Sequence, residues 1–437
     1  MYIMRKALAA LAAGWLCLAT LAQVRADNWP NWRGLAGDGT SRETQLPMQW
    51  DAATGKNIAW AVELPGKGHS SPIVWDDRVL VTTCLEEEQQ RMLLCLDATT
   101  GQELWRCAVL RSPLESVHKL NSYASGTPAT DGQLVYVPFL AVDGQTLVPA
   151  PNVGTNNRDI TPGKIVLTAV DFAGHIRWQI EVGDFVSAHG FCSSPVLYGE
   201  LLILNGDHDG ASYVVAYDKA TGREVWRTPR AHGIRSYVTP LIRPVAGSDQ
   251  LLLAGSSHVA GFDVATGRQI WHVEGPTEQF VASPVFDGQR LMVAAGFPTH
   301  HVIAIDPSGQ GDVSRSHIAW HVDKYVRCYV PSPVLVGQRL YVADDRGTAS
   351  CFDSTSGERL WQGRLSGAFN ASLVATPEHV YFLARDGVTS IVATGDQLQI
   401  VATNPLHEPC DASPAISNGR IYIRGEKHLF CIAASQP

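Results

Sequence analysis

The sequence predicts an all-β protein, an eight-bladed β-propeller of four-stranded blades whose ring is closed by its N-terminal strand. Three observations carry that reading. The unit Val215-Ala216-Tyr217-Asp218-Lys219-Ala220-Thr221-Gly222-Arg223-Glu224-Val225-Trp226 returns in variant form along the whole chain. A small hydroxyl residue followed by proline precedes the successive units. The two ends of the repeat array are each incomplete, and the missing part of one is present in the other.

In the turn unit, an apolar run in strand alternation ends at Asp218, and Asp-x-x-Thr-Gly supplies turn-forming side chains with a glycine tolerant of positive φ. A second strand then runs out to Trp226, completing a β-hairpin. The same spacing recurs at Asp97/Gly101/Trp105, Asp263/Gly267/Trp271 and Asp353/Gly357/Trp361. Looser copies are Asp51/Gly55/Trp60, Asp171/Gly174/Trp178 and, with a longer loop, Asp306/Gly309/Trp320. One Asp-Gly turn means little, but copies in register indicate a repeat architecture. The seven tryptophans are therefore structural, and Trp105, Trp226, Trp271 and Trp361 are expected to lie largely buried between blades.

The second marker occurs at Ser71-Pro72, Thr127-Pro128, Ser194-Pro195, Thr239-Pro240, Ser283-Pro284, Ser332-Pro333 and Ser413-Pro414, with Ser372-Leu373 in the remaining place. An apolar stretch, a turn such as Asp131-Gly132 and a strand such as Leu134 to Val137 follow, so each period holds about four strands, as a propeller blade does.

Residues 1–26 have a basic start, an apolar run from Ala7 to Ala22 and a small-residue exit at Val24-Arg25-Ala26, the layout of a secretory signal cleaved after Ala26. The apolar run is short for a membrane span, so no span is expected after cleavage. The formal charge of −8 becomes −11 when Arg5, Lys6 and Arg25 leave with the signal. No basic stripe points to nucleic acid. Residues 27–48, rich in Gly and Trp, read as a packed extended arm, and residues 49–435 as the propeller. Asp51 to Trp60 looks like half a hairpin, while Asp411 to Ala433 stops short of a final strand. Pairing these ends closes the ring and removes exposed strand edges. The expected product is an exported monomer, periplasmic or extracellular.

Eight cysteines remain after cleavage. Cys95, Cys351 and Cys431 occupy the repeat position held elsewhere by Ala169, Ala216, Gly261 and Ala304, and read as small buried strand residues. A bridge between Cys84 and Cys95 across one hairpin is the competing possibility. Asn205-Gly206-Asp207-His208-Asp209-Gly210 has the oxygen density of a calcium loop but no glutamate in the EF-hand place, and reads as a hairpin tip. His300 and His301, adjacent on a strand, point to opposite faces and do not ligate one metal together.

The Ala-x-Asp-x-x-Thr-Gly-x-x-x-Trp unit resembles the pyrroloquinoline-quinone-type (PQQ-like) propeller repeat, found in quinoprotein alcohol dehydrogenases and in BamB-like scaffolds of outer-membrane assembly. The resemblance spans about residues 45 to 433 and implies a quinoprotein-dehydrogenase-like propeller. It also implies a candidate ligand site at the channel mouth, built from loops just ahead of the Ser-Pro markers: His69, His118, Asn121, His189, Arg235, Glu278, Arg327, Asn370 and Asp411. There Arg235 and Arg327 would pair with quinone carboxylates, and Asn121 or Asn370 with Glu278 or Asp411 would hold Ca²⁺. Against PQQ and Ca²⁺ as cofactors stand the absence of the vicinal Cys-Cys pair, of Cys-x-x-Cys-His for haem, and of room for roofing insertions. The first reading is thus a non-catalytic exported scaffold, BamB-like, that binds a protein partner or an extracellular ligand across its face, without cofactor, metal or catalytic residue. A quinone-dependent dehydrogenase and a carbohydrate-binding propeller are the alternatives.

Overall fold

A computed structural model of the protein describes residues 28–150 and 159–434. The signal segment expected at residues 1–26 lies outside them. Among the described residues the regular elements are all strands; eight sheets form an eight-bladed propeller, and Val148–Pro149 pairs with Asp159–Ile160 in a separate two-stranded sheet. Blade 1 comprises Ile73–Trp75, Arg78–Leu85, Gln90–Asp97 and Glu103–Arg111, in antiparallel order from the axis outwards. Blades 2 to 7 repeat this order, beginning at Ala129, Val196, Leu241, Val285, Val334 and Val374. Blade 8 takes three strands from the C-terminal segment, Ala415–Ser417, Arg420–Arg424 and His428–Ala433. Its fourth is Ile58–Glu63, with Trp60 opposite Cys431. The incomplete ends therefore complete one blade, as their sequences require.

The repeat unit works as a blade-to-blade clamp. Asp218 Oδ1 accepts from the Thr221 N–H at 2.9 Å and from its hydroxyl at 2.7 Å, and these bonds hold the carboxyl below its ordinary pKa. The turn so fixed receives the tryptophan of the preceding blade. Trp226 Nε1 donates to Val264 O at 3.2 Å, Trp178 to Lys219 O at 3.1 Å and Trp361 to Gly395 O at 3.1 Å. Trp60 closes the ring the same way, donating to Ala98 O of blade 1 at 3.2 Å. Cross-strand from each indole sits a small residue, such as Ala216 opposite Trp226, Cys95 opposite Trp105 and Cys351 opposite Trp361. At Gly261, opposite Trp271, a Cβ would lie 2.2 Å from the indole nitrogen. Blade 7 inverts the pair, placing Ile391 opposite Ala402, and Trp50 of the incoming N-terminal segment joins the same packed cluster.

Trp60, Trp226, Trp271 and Trp361 are buried, whereas Trp105, Trp178 and Trp320 are half-buried. The expectation for Trp105 is thereby corrected. Trp271 alone of the four set down as buried is completely covered, because the long loop between Asp306 and Trp320 folds back and lays Gly311–Asp312 alongside it as a fifth strand. The eight cysteines among the described residues are free thiols. Cys84 faces Arg91 and Cys95 faces Leu80, so the two sulfurs are not opposite one another and the possible bridge is excluded.

Gly267 carries the tightest of these clamps: its φ is +73°, and a Cβ would lie 2.4 Å from the Trp226 ring. Gly267→Ala is expected to cost about 2 kcal/mol or more, part from the left-handed backbone and part from displacing the indole. Gly55, at φ +74° with open space around its Cβ, isolates the backbone part. Equal shifts of the denaturation midpoint for Gly55→Ala and Gly267→Ala would contradict the clamp.

Candidate functional site

The first strands of the blades surround the axis, and the Ser-Pro markers stand at their entrances. Seven of the eight marker residues are tied to the next blade by a backbone N–H donated to a hydroxyl: Ser71 to Thr127, Thr127 to Ser194, Thr239 to Ser283, Ser283 to Ser332, Ser332 to Ser372, Ser372 to Ser413 and Ser413 back to Ser71, at 2.9 to 3.0 Å. This belt explains why the position wants a small hydroxyl side chain and why Ser372 serves without its proline. The marker was visible in the sequence; its partner was not.

The N-terminal arm crosses the ring on the far side of the belt. Trp29 pairs with Val74 of blade 1, the Thr130 N–H of blade 2 donates to Pro30 O at 2.8 Å, and Thr40 pairs with Ala375 of blade 7. Arg33, buried beneath, donates to Pro333 O of blade 6, and burial pushes its pKa down to about 10. Arg243 of blade 4 reaches Asp38 Oδ2 at 2.8 Å. The arm thus spans the channel, and Trp32 joins the lining of a central cavity of about 340 Å³.

Of the nine predicted site residues, His69, His118, Asn121, His189, Arg235, Asn370 and Asp411 line that cavity. Glu278 and Arg327 do not; Gln279 and Tyr329 take their places. In the loop before blade 5, Gln279 is bridged to Phe297, and its neighbour Glu278 falls outside the lining. Arg327 is exposed to solvent.

The charges in the cavity are paired. Arg235, fully buried, donates from Nη1 to Asp209 Oδ1 at 2.9 Å and Oδ2 at 3.1 Å, and its Nε lies 3.4 Å from His189 Nδ1. Asp411 Oδ1 accepts from Asn370 Nδ2 at 2.7 Å and from Arg385 Nε at 2.8 Å. Asn121 Nδ2 donates to His189 O at 2.7 Å. Desolvation lowers the pKa of His69, outweighing Asp411 at 3.8 Å, so the imidazole is neutral at pH 7. Desolvation also raises the Cys192 thiol and the Tyr329 phenol to about 12 each, so neither supplies an anionic nucleophile or base.

The segment read as a hairpin tip does connect two strands, Leu201–Gly206 and Tyr213–Asp218, but it is buried rather than exposed. Its carboxylates are committed to arginines, Asp207 to Arg230 at 2.6 Å and Asp209 to Arg235. His300 Nδ1 contacts Cys328 O and His301 Nδ1 contacts His321 Nε2, so the adjacent histidines have separate partners. Among the described residues no group of three His, Cys, Asp or Glu side chains is placed to hold a metal ion.

These placements do not fit a quinone gripped by Arg235 and Arg327 with a calcium ion beside it. One arginine is spent on Asp209, the other lies outside the cavity, and Arg385 occupies the Asp411 oxygen nearest Asn370. What the arrangement offers is a polar, charge-balanced well with aromatic walls and a hydroxyl waist.

The family profile described as outer membrane protein assembly factor BamB matches residues 40–151, 140–311 and 298–402. Among solved structures, the chain is similar to BamB from Moraxella catarrhalis, at 13% identity and a TM-score of 0.58 over 87% of this chain and 98% of that one. It is similar also to a quinohemoprotein alcohol dehydrogenase of Pseudomonas putida, at 13% identity and a TM-score of 0.63 over 94% and 81% of the two chains. A quinohemoprotein alcohol dehydrogenase of Comamonas testosteroni follows, at 12% identity and a TM-score of 0.52 over the same shares. Identities this low speak for the fold alone. No curated relative matches the sequence. With its profile covering most of the propeller and its eight blades clamped by the repeat itself, the chain belongs to the BamB family of PQQ-like repeat propellers.

Proposed function

We propose that the protein is an exported, non-catalytic propeller that binds a protein partner or another ligand across the face onto which the central well opens. The observation that carries this reading is that the charged groups at the channel mouth are paired, Arg235 with Asp209 and Asp411 with Arg385, while the Asn121 and Asn370 amides donate to His189 O and Asp411. A catalytic site needs groups held ready for substrate, with a base or nucleophile of suitable pKa among them. Here Cys192, Tyr237 and Tyr329 stay protonated, because burial raises all three. The family's printed description supports a protein partner of the kind met in outer-membrane protein assembly. Export rests on the N-terminal segment of the sequence. Among the described residues no helix is long and apolar enough to cross a membrane.

Calorimetric titration of the mature protein with pyrroloquinoline quinone and Ca²⁺ tests the non-catalytic reading. Two arginines free to bind carboxylates would give at least micromolar affinity, about −8 kcal/mol. The expected result is no binding at that level. Micromolar or tighter binding would overturn the reading and favour a quinone-dependent oxidoreductase.

A further inference from the structure

The belt leaves a chemical residue. Apart from that of Thr239, its hydroxyl oxygens accept N–H groups from neighbouring blades, but among the described residues the hydroxyl protons of Ser71, Thr127, Ser194, Thr239, Ser372 and Ser413 meet no acceptor, and all six residues line the cavity. At the mouth the polarity is reversed. Among the described residues Asn370 Oδ1 has no donor, and Asp411 Oδ2 has only the His69 ring at 3.8 Å, beyond hydrogen-bond reach. The well therefore offers donors at its waist and acceptors at its mouth. The aromatic rings of Trp32, Tyr237, Phe297 and Tyr329 line the same cavity.

We propose that this well binds a neutral polyhydroxylated ligand of the sugar class. Each hydroxyl of such a ligand both donates and accepts, so one molecule satisfies the belt and the Asn370–Asp411 pair together. Its C–H faces match the aromatic walls. A carboxylate or quinone ligand only accepts: it suits the belt but meets the Asp411 oxygens at the mouth with nothing to donate. A cation gains little, since Asp411 is already paired with Arg385 at 2.8 Å. A volume of about 340 Å³ lies at the lower end of ligand pockets, room for a small molecule rather than a polymer. The proposal rests on the reading of the open face as a binding surface rather than a catalytic one.

Thr239 gives the sharpest test. Its backbone N–H serves the belt, donating to Ser283 Oγ at 2.9 Å, while its own hydroxyl accepts no belt N–H. Thr239→Val therefore removes a donor to the ligand and leaves the belt intact. Glucose, galactose, N-acetylglucosamine and myo-inositol, each titrated to tens of millimolar against the mature protein by calorimetry and ligand-observed NMR, are the probes. The expected result is saturable binding of at least one of them, weakened about tenfold or more by Thr239→Val and by Asn370→Ala, with thermal midpoints near that of the parent. Absence of binding for all four to folded protein would overturn the proposal, as would binding that neither substitution weakens. Oxidation of a bound sugar on adding an electron-accepting dye would leave the ligand class standing and overturn the non-catalytic reading instead.

Discussion

Trp271→Ala is expected to lower the stability of the propeller by about 3 to 5 kcal/mol, the range for deleting a large buried aromatic side chain. The indole is completely covered, and Nε1 donates to Gln250 Oε1 at 2.9 Å, so the substitution also strands a buried amide. Gly261 opposite cannot fill the space, having no side chain, and the parallel strand Gly311–Asp312 loses its packing surface. Trp105→Ala is the informative comparison, because that indole is half-buried and should cost clearly less. Urea denaturation followed by circular dichroism decides the matter. Equal losses for the two substitutions would mean that burial does not set the worth of the repeat tryptophans.

The second large effect concerns the ion pair under the well. Asp209→Ala is expected to destabilise by about 3 to 5 kcal/mol, because it leaves the Arg235 guanidinium fully buried without its carboxylate. Replacing both partners together, as Asp209→Leu with Arg235→Met, should restore most of the loss, since an apolar pair of similar volume bears no desolvation penalty. If the double variant is no more stable than Asp209→Ala, the pair acts through geometry that apolar side chains cannot supply. Loss of the pair should also disturb His189, whose Nδ1 lies 3.4 Å from Arg235 Nε. Chemical shifts of that imidazole report this separately from stability.

Much of the fold was legible because the information is local and repeated. The Asp-x-x-Thr-Gly turn closes within five residues, strand alternation has a period of two, and the tryptophan stands at fixed distance from its glycine, so each blade announces itself without reference to the others. Ring closure followed from two half-units that complement each other, and strand Ile58–Glu63 does lie against His428–Ala433. Even the cysteines could be assigned to small strand positions, although the indole facing each one could not be seen.

The site was legible only in part, and the reason is physical. The sequence by itself determined which loops reach the axis, because each rim loop precedes a hydroxyl-proline marker or, at Ser372-Leu373, its variant, and seven of the nine predicted residues accordingly line one cavity. It did not determine which side chain of a loop turns inward, so Gln279 and Tyr329 line the cavity where Glu278 and Arg327 were expected. Nor did it determine partners. Asp209 meets Arg235 from another loop, Arg385 meets Asp411 across 26 residues, and Trp32 meets the far end of the channel only because the arm spans the ring. Such pairings depend on three-dimensional placement of segments with no common local pattern. The sequence therefore determined the blades and their closure, while tertiary structure alone decided that the mouth's charges cancel and that the belt turns its hydroxyls into the cavity.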